Sequence, residues 1–467
     1  MFAGLVAILA FGGCTKHDSY QEPERHAREI LEAYIAATGV PALQIAVGAG
    51  GRIVWSEAFG TADLASDIPA TTDSRFRIAS ISKLLTGTLA AKLADAGTLD
   101  LDRPIGEYVP DLPPEWHDIT ADMLLHHTSG IPHYSDAQDA LDTTYYATTR
   151  DALKRFEDRP LVHPPGTEET YSSYAYTVLA LCVEQVTGRP FLDVMRAEIL
   201  DPLGMTRTGP DVRSTPPPGL TAFYDLAEDG TVRKAPDVDL SGRWAGSGYL
   251  STADDLVRFG MAHTKPGVFS AGTLAMVAER DTLPDGELTK EGFGWGPRTD
   301  WDGRAMLWGD GSTPGSRCGL LVYPDDGLVI AILTNLRGLA LERGEFQTLA
   351  RLFLAAGEGV ALLPPPAGSS GDWRGSLKLG KASIAVDLAI ESPASDGRGK
   401  VSFAGWRSLS IADMFGLDGR TWTVPLDNQG FFPITFTLEG DSMAVAAPRT
   451  GWSFVLARAR GEEAGGR

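Results

Sequence analysis

The chain has little cysteine, three residues in 467, at positions 14, 182 and 318. So few thiols supply neither a disulfide framework nor the paired spacing of a zinc site. Cys182 and Cys318 sit in apolar contexts and read as small buried residues. Basic residues are scarce too: 41 Lys and Arg stand against 61 Asp and Glu, a formal charge of −20. Phosphate binding needs a basic surface, so nucleic acid is excluded as a partner, and the acid excess serves solubility. The apolar run from Met1 to Cys14 is too short to span a bilayer as a mature helix. No internal repeat is present.

What is there is an ordinary globular composition, 43% hydrophobic and 22% charged. The length is about three domains' worth of chain, and one large catalytic domain with a small appendage fits equally well. Residues 1–14 end in Gly12-Gly13-Cys14 and resemble the tail of a bacterial lipoprotein signal, with Cys14 as the lipidated residue. That predicts export to the periplasm or cell envelope, with a membrane anchor through lipid. Glu22 to Thr38 carries Ile30, Leu31, Tyr34 and Ile35 on one helical stripe. Strand patterns follow at Ala42 to Val47 and Arg52 to Phe59, and return at Arg304 to Gly309, Cys318 to Tyr323 and Leu328 to Thr334. Two strands early and three late, with a helical stretch between, predict one antiparallel sheet with the middle folded over it. Glu345 to Ala356 reads as a closing helix. A Pro- and Gly-rich linker over 364–371 then separates an all-β appendage, sandwich or small barrel, over 372–459.

The chemistry centres on Phe76-Arg-Ile-Ala-Ser-Ile-Ser-Lys83. Ile81, Leu84, Leu85, Leu89 and Leu93 recur at helical intervals, and Gly97 stands as a stop. A helix opening at Ser80 stacks its hydroxyl and the Lys83 amine one turn apart. Lysine can take a serine proton only when it is neutral. Bringing it from about 10.4 to near neutrality takes on the order of 4 kcal/mol, so a dry pocket is required. Ser-x-x-Lys alone is weak, since a capping Ser80 and a solvated Lys83 explain it equally.

Tyr171-Ser-Ser173 leads into a helix over Ala175 to Val186, and a tyrosine facing Ser80 and Lys83 can share the proton. The plain alternative is a packed tyrosine. Gly309-Asp-Gly311-Ser312-Thr313-Pro-Gly315 lets a substrate approach the backbone closely, and the Ser312 N–H could join that of Ser80 around an oxyanion. An ordinary β-turn is the rival. His126, His127 and His133 have no carboxylate at metal-binding helix spacing, so the segment reads as a structural loop and no metal is predicted. Phe293-Gly-Trp-Gly296 reads as a packed strand-and-turn piece.

Together these segments, with Leu124-Leu-His-His-Thr-Ser-Gly130 and Gly246-Ser-Gly-Tyr-Leu-Ser-Thr-Ala-Asp-Asp-Leu256, resemble the serine β-lactamase and penicillin-binding family. The resemblance is specifically to the branch near class C β-lactamases, bacterial esterases and the mitochondrial serine β-lactamase-like protein. The resemblance implies an α+β, β-lactamase/transpeptidase-like fold over 22–357, an antiparallel sheet flanked by helices with a helical subdomain. It implies a lipocalin-like β-barrel at the C-terminus. It implies an acyl-enzyme mechanism with no cofactor: Ser80 attacks, Lys83 and Tyr171 handle protons, and Ser173, Gly311, Ser312 and Thr313 bind substrate or oxyanion.

Two departures stand out. Ser173 replaces the family's amide, and Gly309 occupies the position read as the third motif's cation. Strand alternation is expected to turn Asp310 away from the face shared by Gly309 and Gly311, so that it does not compensate. The expected protein is an exported serine hydrolase of ester or amide bonds in small molecules or peptides, with weak or no action on β-lactams. The rivals are a D-Ala-directed carboxypeptidase or D-aminopeptidase, a true β-lactamase, and a non-catalytic binding protein on the same fold.

Overall fold

A computed structural model describes residues 20–300, 302–339 and 341–358, and beyond them 371–379, 382–390, 399–404, 412–416, 421–426, 430–447 and 452–458. Cys14 and the linker residues 364–370 lie outside the described residues. Helix α1 (Gln21–Thr38) leads into a hairpin of β1 (Ala42–Ala49) and β2 (Arg52–Asp63). Gly50 and Gly51, with φ of 60° and 83°, make the turn, a backbone that side chains with a Cβ resist. The two-residue β3 (Ile68–Pro69) adds an edge. From the far end of the domain come β4 (Gly296–Thr299), β5 (Ala305–Thr313), β6 (Ser316–Tyr323) and β7 (Leu328–Thr334). They form a seven-stranded antiparallel sheet in the order β3-β2-β1-β7-β6-β5-β4. Early and late chain therefore meet at its centre, with Leu43 opposite Thr334 and Val47 opposite Ile330.

Period-two alternation explains why both faces are covered. Ala42 and Ala46 of β1 join a core with Leu84 and Leu85 of α2 (Ile81–Asp95), Leu179 of α3 (Ser173–Thr187) and Val257 of α4 (Ala253–Met261). Leu43, Ile45 and Val47 join the other core with Leu31 of α1 and Leu349 of α5 (Arg343–Gly357). The chain is α+β, with terminal helices on one face and the helical middle on the other.

Helix α2 differs from the single apolar stripe read above. Ser82, Thr86 and Thr88 are as buried as its leucines. It runs between sheet and helical layer, so all of its sides are enclosed. The polar side chains survive there because each is bonded: Ser82 Oγ accepts from Tyr249 N–H, Thr86 donates to the Ala245 carbonyl, and Thr88 pairs with His263.

Beyond the linker, eight strands from Gly371–Leu379 to Trp452–Arg458 pair in sequential order and close as a barrel, the first bonding to the last. Sandwich and barrel were both open from the sequence. Closure leaves no free strand edge.

Candidate active site

Three elements converge on one cavity of about 480 Å³. The first is the start of α2. A buried ion pair of Arg77 with Asp211 at 2.8 Å, and a bond from Arg77 to the Pro314 carbonyl at 2.9 Å, tie the approach to α2 to the loop after β5. Ala79 then turns the chain with φ of 45°, unfavourable for a residue with a Cβ, and Ser80 stands at the N-cap position without spending its hydroxyl on a capping bond. Lys83, 1% exposed, points back along this face. Its Nζ lies 2.8 Å from the Gly246 carbonyl, 2.9 Å from Ser173 Oγ and 3.5 Å from Ser80 Oγ.

The second element is the lead-in to α3. Ser172 caps that helix, accepting from Ala175 N–H at 3.1 Å while donating to the Pro132 carbonyl at 2.8 Å. The backbone N–H groups of Ser172 and Ser173 donate to Nδ1 of His127 and His133, each at 3.1 Å. The histidine loop is thus structural in a particular way: it fixes the Tyr171-Ser-Ser173 segment. Tyr171, packed on both imidazoles, donates its hydroxyl to Ser80 Oγ at 2.8 Å.

The third element is β5. Gly311 passes so close to α2 that a Cβ there would lie 2.6 Å from the Ile78 carbonyl oxygen and 2.9 Å from Ser80 N. Ser312 and Thr313 follow on the same wall. The structure therefore brings Ser80, Lys83, Tyr171, Ser173, Gly311, Ser312 and Thr313 to one cavity.

Burial sets the electrostatics. Desolvation, helped by Arg243 and opposed by Glu291, holds Lys83 down at about 7. Tyr171 keeps 37% of its surface at the cavity mouth. Even so, crowding around it and the Glu291 carboxylate push its hydroxyl well above the ordinary phenol range. His133 is lowered to about 4 by burial and by Lys83, so its ring is neutral.

Two expectations need correction. Alternation does separate Asp310 from Gly309 and Gly311, but the glycine face is the packed one. A Cβ at Gly309 would meet Leu84 Cδ2 at 2.4 Å, which leaves no room there for a cation. Asp310 instead lines the cavity, paired with Arg317 at 2.5 Å, and Arg317 also reaches Glu342 at 2.8 Å. A carboxylate also stands one helical turn from His126, because Asp122 lies 3.1 Å from its Nδ1. With Asp281 these donors lie within 4.8 Å of one another. Burial opposes protonation of His126, yet the two carboxylates outweigh it and raise its pKa, as an ion pair does.

Sequence reasoning missed the rest of the lining. Glu291 and Arg298 line the cavity from one segment, and Arg243 and Arg343 from two others far from it in the chain. A profile of the family described as Beta-lactamase matches residues 27–353. The chain belongs to the Beta-lactamase family. This β-lactamase-related serine hydrolase is 27% identical over 432 residues to human Serine beta-lactamase-like protein LACTB, mitochondrial, spanning 68% of this chain and 77% of that one. It is 32% identical over 335 residues to Penicillin-binding protein 4 of Amycolatopsis lactamdurans, with 66% and 84% covered. In fold it is similar to the octameric penicillin-binding protein homologue from Pyrococcus abyssi, with a TM-score of 0.61 at 20% identity, covering 92% of this chain and 99% of that one.

Proposed function

We propose that the enzyme cleaves ester or amide bonds through an acyl-enzyme on Ser80, with Lys83 and Tyr171 handling the protons. One observation carries the reading. Ser80 Oγ lies between the Tyr171 hydroxyl, at 2.8 Å, and a desolvated amine, at 3.5 Å.

The Gly246 carbonyl can only accept, so the amine must donate to it, and a neutral Lys83 can turn its lone pair toward Ser80. As Oγ bonds to the substrate carbonyl, its proton passes to Lys83. The N–H groups of Ser80 and Ser312 hold the oxyanion. The Tyr171 hydroxyl then protonates the leaving oxygen or nitrogen, and Lys83 returns a proton to it. Water attacks the acyl-Ser80 ester along the same path in reverse. Ser173 and Thr313 contribute hydrogen bonds to Lys83 and to substrate.

Four guanidiniums line the cavity (Arg243, Arg298, Arg317 and Arg343), beside the neutral Lys83 and against the two carboxylates of Glu291 and Asp310. On a chain of charge −20 this concentrates positive potential at the nucleophile, which suits substrates that bear a carboxylate. These guanidiniums supply cations in place of the one that Gly309 lacks, so the glycine by itself gives no reason for weak β-lactam turnover. The apolar run ending at Cys14 supports export and lipid anchoring in the periplasm or cell envelope. No described helix is long and apolar enough to cross a membrane.

The test is intact-mass analysis of wild type and Ser80→Ala after exposure to a fluorophosphonate and to penicillin, beside turnover of short-chain nitrophenyl esters and muropeptides. Wild type gains one adduct, located at Ser80, and turns over at least one substrate class; Ser80→Ala does neither. Folded wild type that stays unlabelled overturns the reading and favours a binding protein. Substrate preference separates esterase, peptidase and β-lactamase.

A further inference from the structure

Beneath Tyr171 lies a second pair of polar groups for which the acyl-enzyme scheme has no task. His127 is 1% exposed and holds φ of 61°, a backbone conformation uncommon outside glycine and asparagine. Its Nδ1 accepts the Ser172 N–H at 3.1 Å. A backbone N–H can only donate, so this nitrogen carries no proton and the imidazole proton must sit on Nε2. Nε2 is buried and makes no hydrogen bond among the described residues; Glu291 Oε2 lies 3.5 Å from it. The two imidazole-facing rings, Tyr171 and Tyr176, lie 4.6 and 5.4 Å from the His127 ring. Of the two cavity carboxylates, Asp310 is neutralised by Arg317, whereas Glu291 has no Lys or Arg partner among the described residues.

We propose that His127 and Glu291 act together as positioning residues, His127 propping the Tyr171 ring so that its hydroxyl stays on Ser80, and the Glu291 charge keeping that hydroxyl a proton donor. The inference rests on the acyl-enzyme reading above. The charge acts on both proton carriers: Glu291 disfavours the Tyr171 phenolate and favours the Lys83 ammonium. His127, Lys83 and Arg298 in turn hold Glu291 below the ordinary carboxylate range against the effect of burial. The other titratable or charged groups facing the site are His133 and Tyr134 from the loop after His127, Arg243, Tyr176 on α3, Asp310 on β5, Arg317 on β6 and Arg343 on α5.

The measurement is the pH dependence of Ser80 labelling by a fluorophosphonate, with thermal midpoints recorded for each variant. Glu291→Gln removes the charge, so the acid limb moves down by about half a pH unit, a roughly threefold gain in relative rate near pH 6. Glu291→Asp keeps the charge and holds the limb at the wild-type position while the plateau falls. His127→Asn suits the positive φ, can still accept from Ser172, and loses the ring, so its plateau falls about tenfold. In the double variant His127→Asn with Glu291→Asp the two plateau losses do not add, because the pair acts as one unit. A limb that stays put in Glu291→Gln, or additive losses, overturns the proposal while leaving the acyl-enzyme reading intact. Wild type that is never labelled at Ser80 overturns both.

Discussion

The close approach of β5 to α2 makes Gly311→Ala the sharpest test of how the site is built. The added methyl would sit 2.6 Å from the Ile78 carbonyl oxygen and 2.9 Å from Ser80 N, where ordinary contacts begin near 3.4 Å. These two atoms are backbone, the Ala79 Cβ stands at 2.9 Å as well, and none of the three can rotate aside. The strand must therefore retreat from the helix by roughly half an ångström to just under one. That gap separates the two N–H groups proposed to hold the oxyanion, and misplacement by about 1 Å is associated with a loss on the order of 100-fold. Losing a whole oxyanion donor costs about 100- to 1000-fold. We expect kcat on a short-chain nitrophenyl ester to fall about 100-fold, about 2.7 kcal/mol of barrier. Overpacking should also remove about 1–3 kcal/mol of stability. Gly309→Ala is the paired control: its methyl meets Leu84 Cδ2 at 2.4 Å, a side-chain end one turn deeper than Ser80, so stability falls while kcat drops less than about tenfold. Urea denaturation and steady-state kinetics on the two variants decide the matter. If folded Gly311→Ala keeps kcat within about threefold of wild type, the oxyanion assignment to this strand edge is wrong.

Two further outcomes follow from the charges. Lys83 must be neutral to accept the proton, so kcat/KM rises with pH through a midpoint near 7 and then levels. Its folded value is depressed, so between about 7 and 10.5 the unfolded chain binds the extra proton and this group adds stability as pH rises. Lys83→Met should abolish the kinetic limb and flatten that part of the stability profile. Arg298→Gln and Arg343→Gln each raise KM for a half-ester of a dicarboxylic acid by about tenfold and leave a neutral ester of equal length within about twofold, checked by Michaelis kinetics at low and high salt. Equal changes on both esters would dismiss the carboxylate preference.

How much of this was legible beforehand depends on the range of the signal. Ser80 and Lys83 are three residues apart on one helix, so local geometry alone brings them together. The strands were legible as short, largely apolar runs bounded by turn residues in β1, β6 and β7, each of which is buried on both faces. Parity was not enough for Asp310. Alternation says which residues share a face, but which face is the cavity depends on where α2 packs. Leu84 filling the space beside Gly309 is a tertiary fact.

The charged lining was opaque for a related reason. Glu291, Arg298 and Arg343 each read alone as a solvated residue, and acquire meaning only when the sheet and helices bring them within reach of Ser80. A weak signal did exist at the first of them. Glu291 precedes Gly-Phe-Gly-Trp-Gly296, and Phe293 holds φ of 52° while a Cβ at Gly294 would strike the Lys83 carbonyl oxygen at 2.8 Å. A glycine-rich segment pressed against the lysine's own turn has to deliver its flanking residues to the same place. The composition of that segment therefore constrained Glu291 more tightly than its charge did.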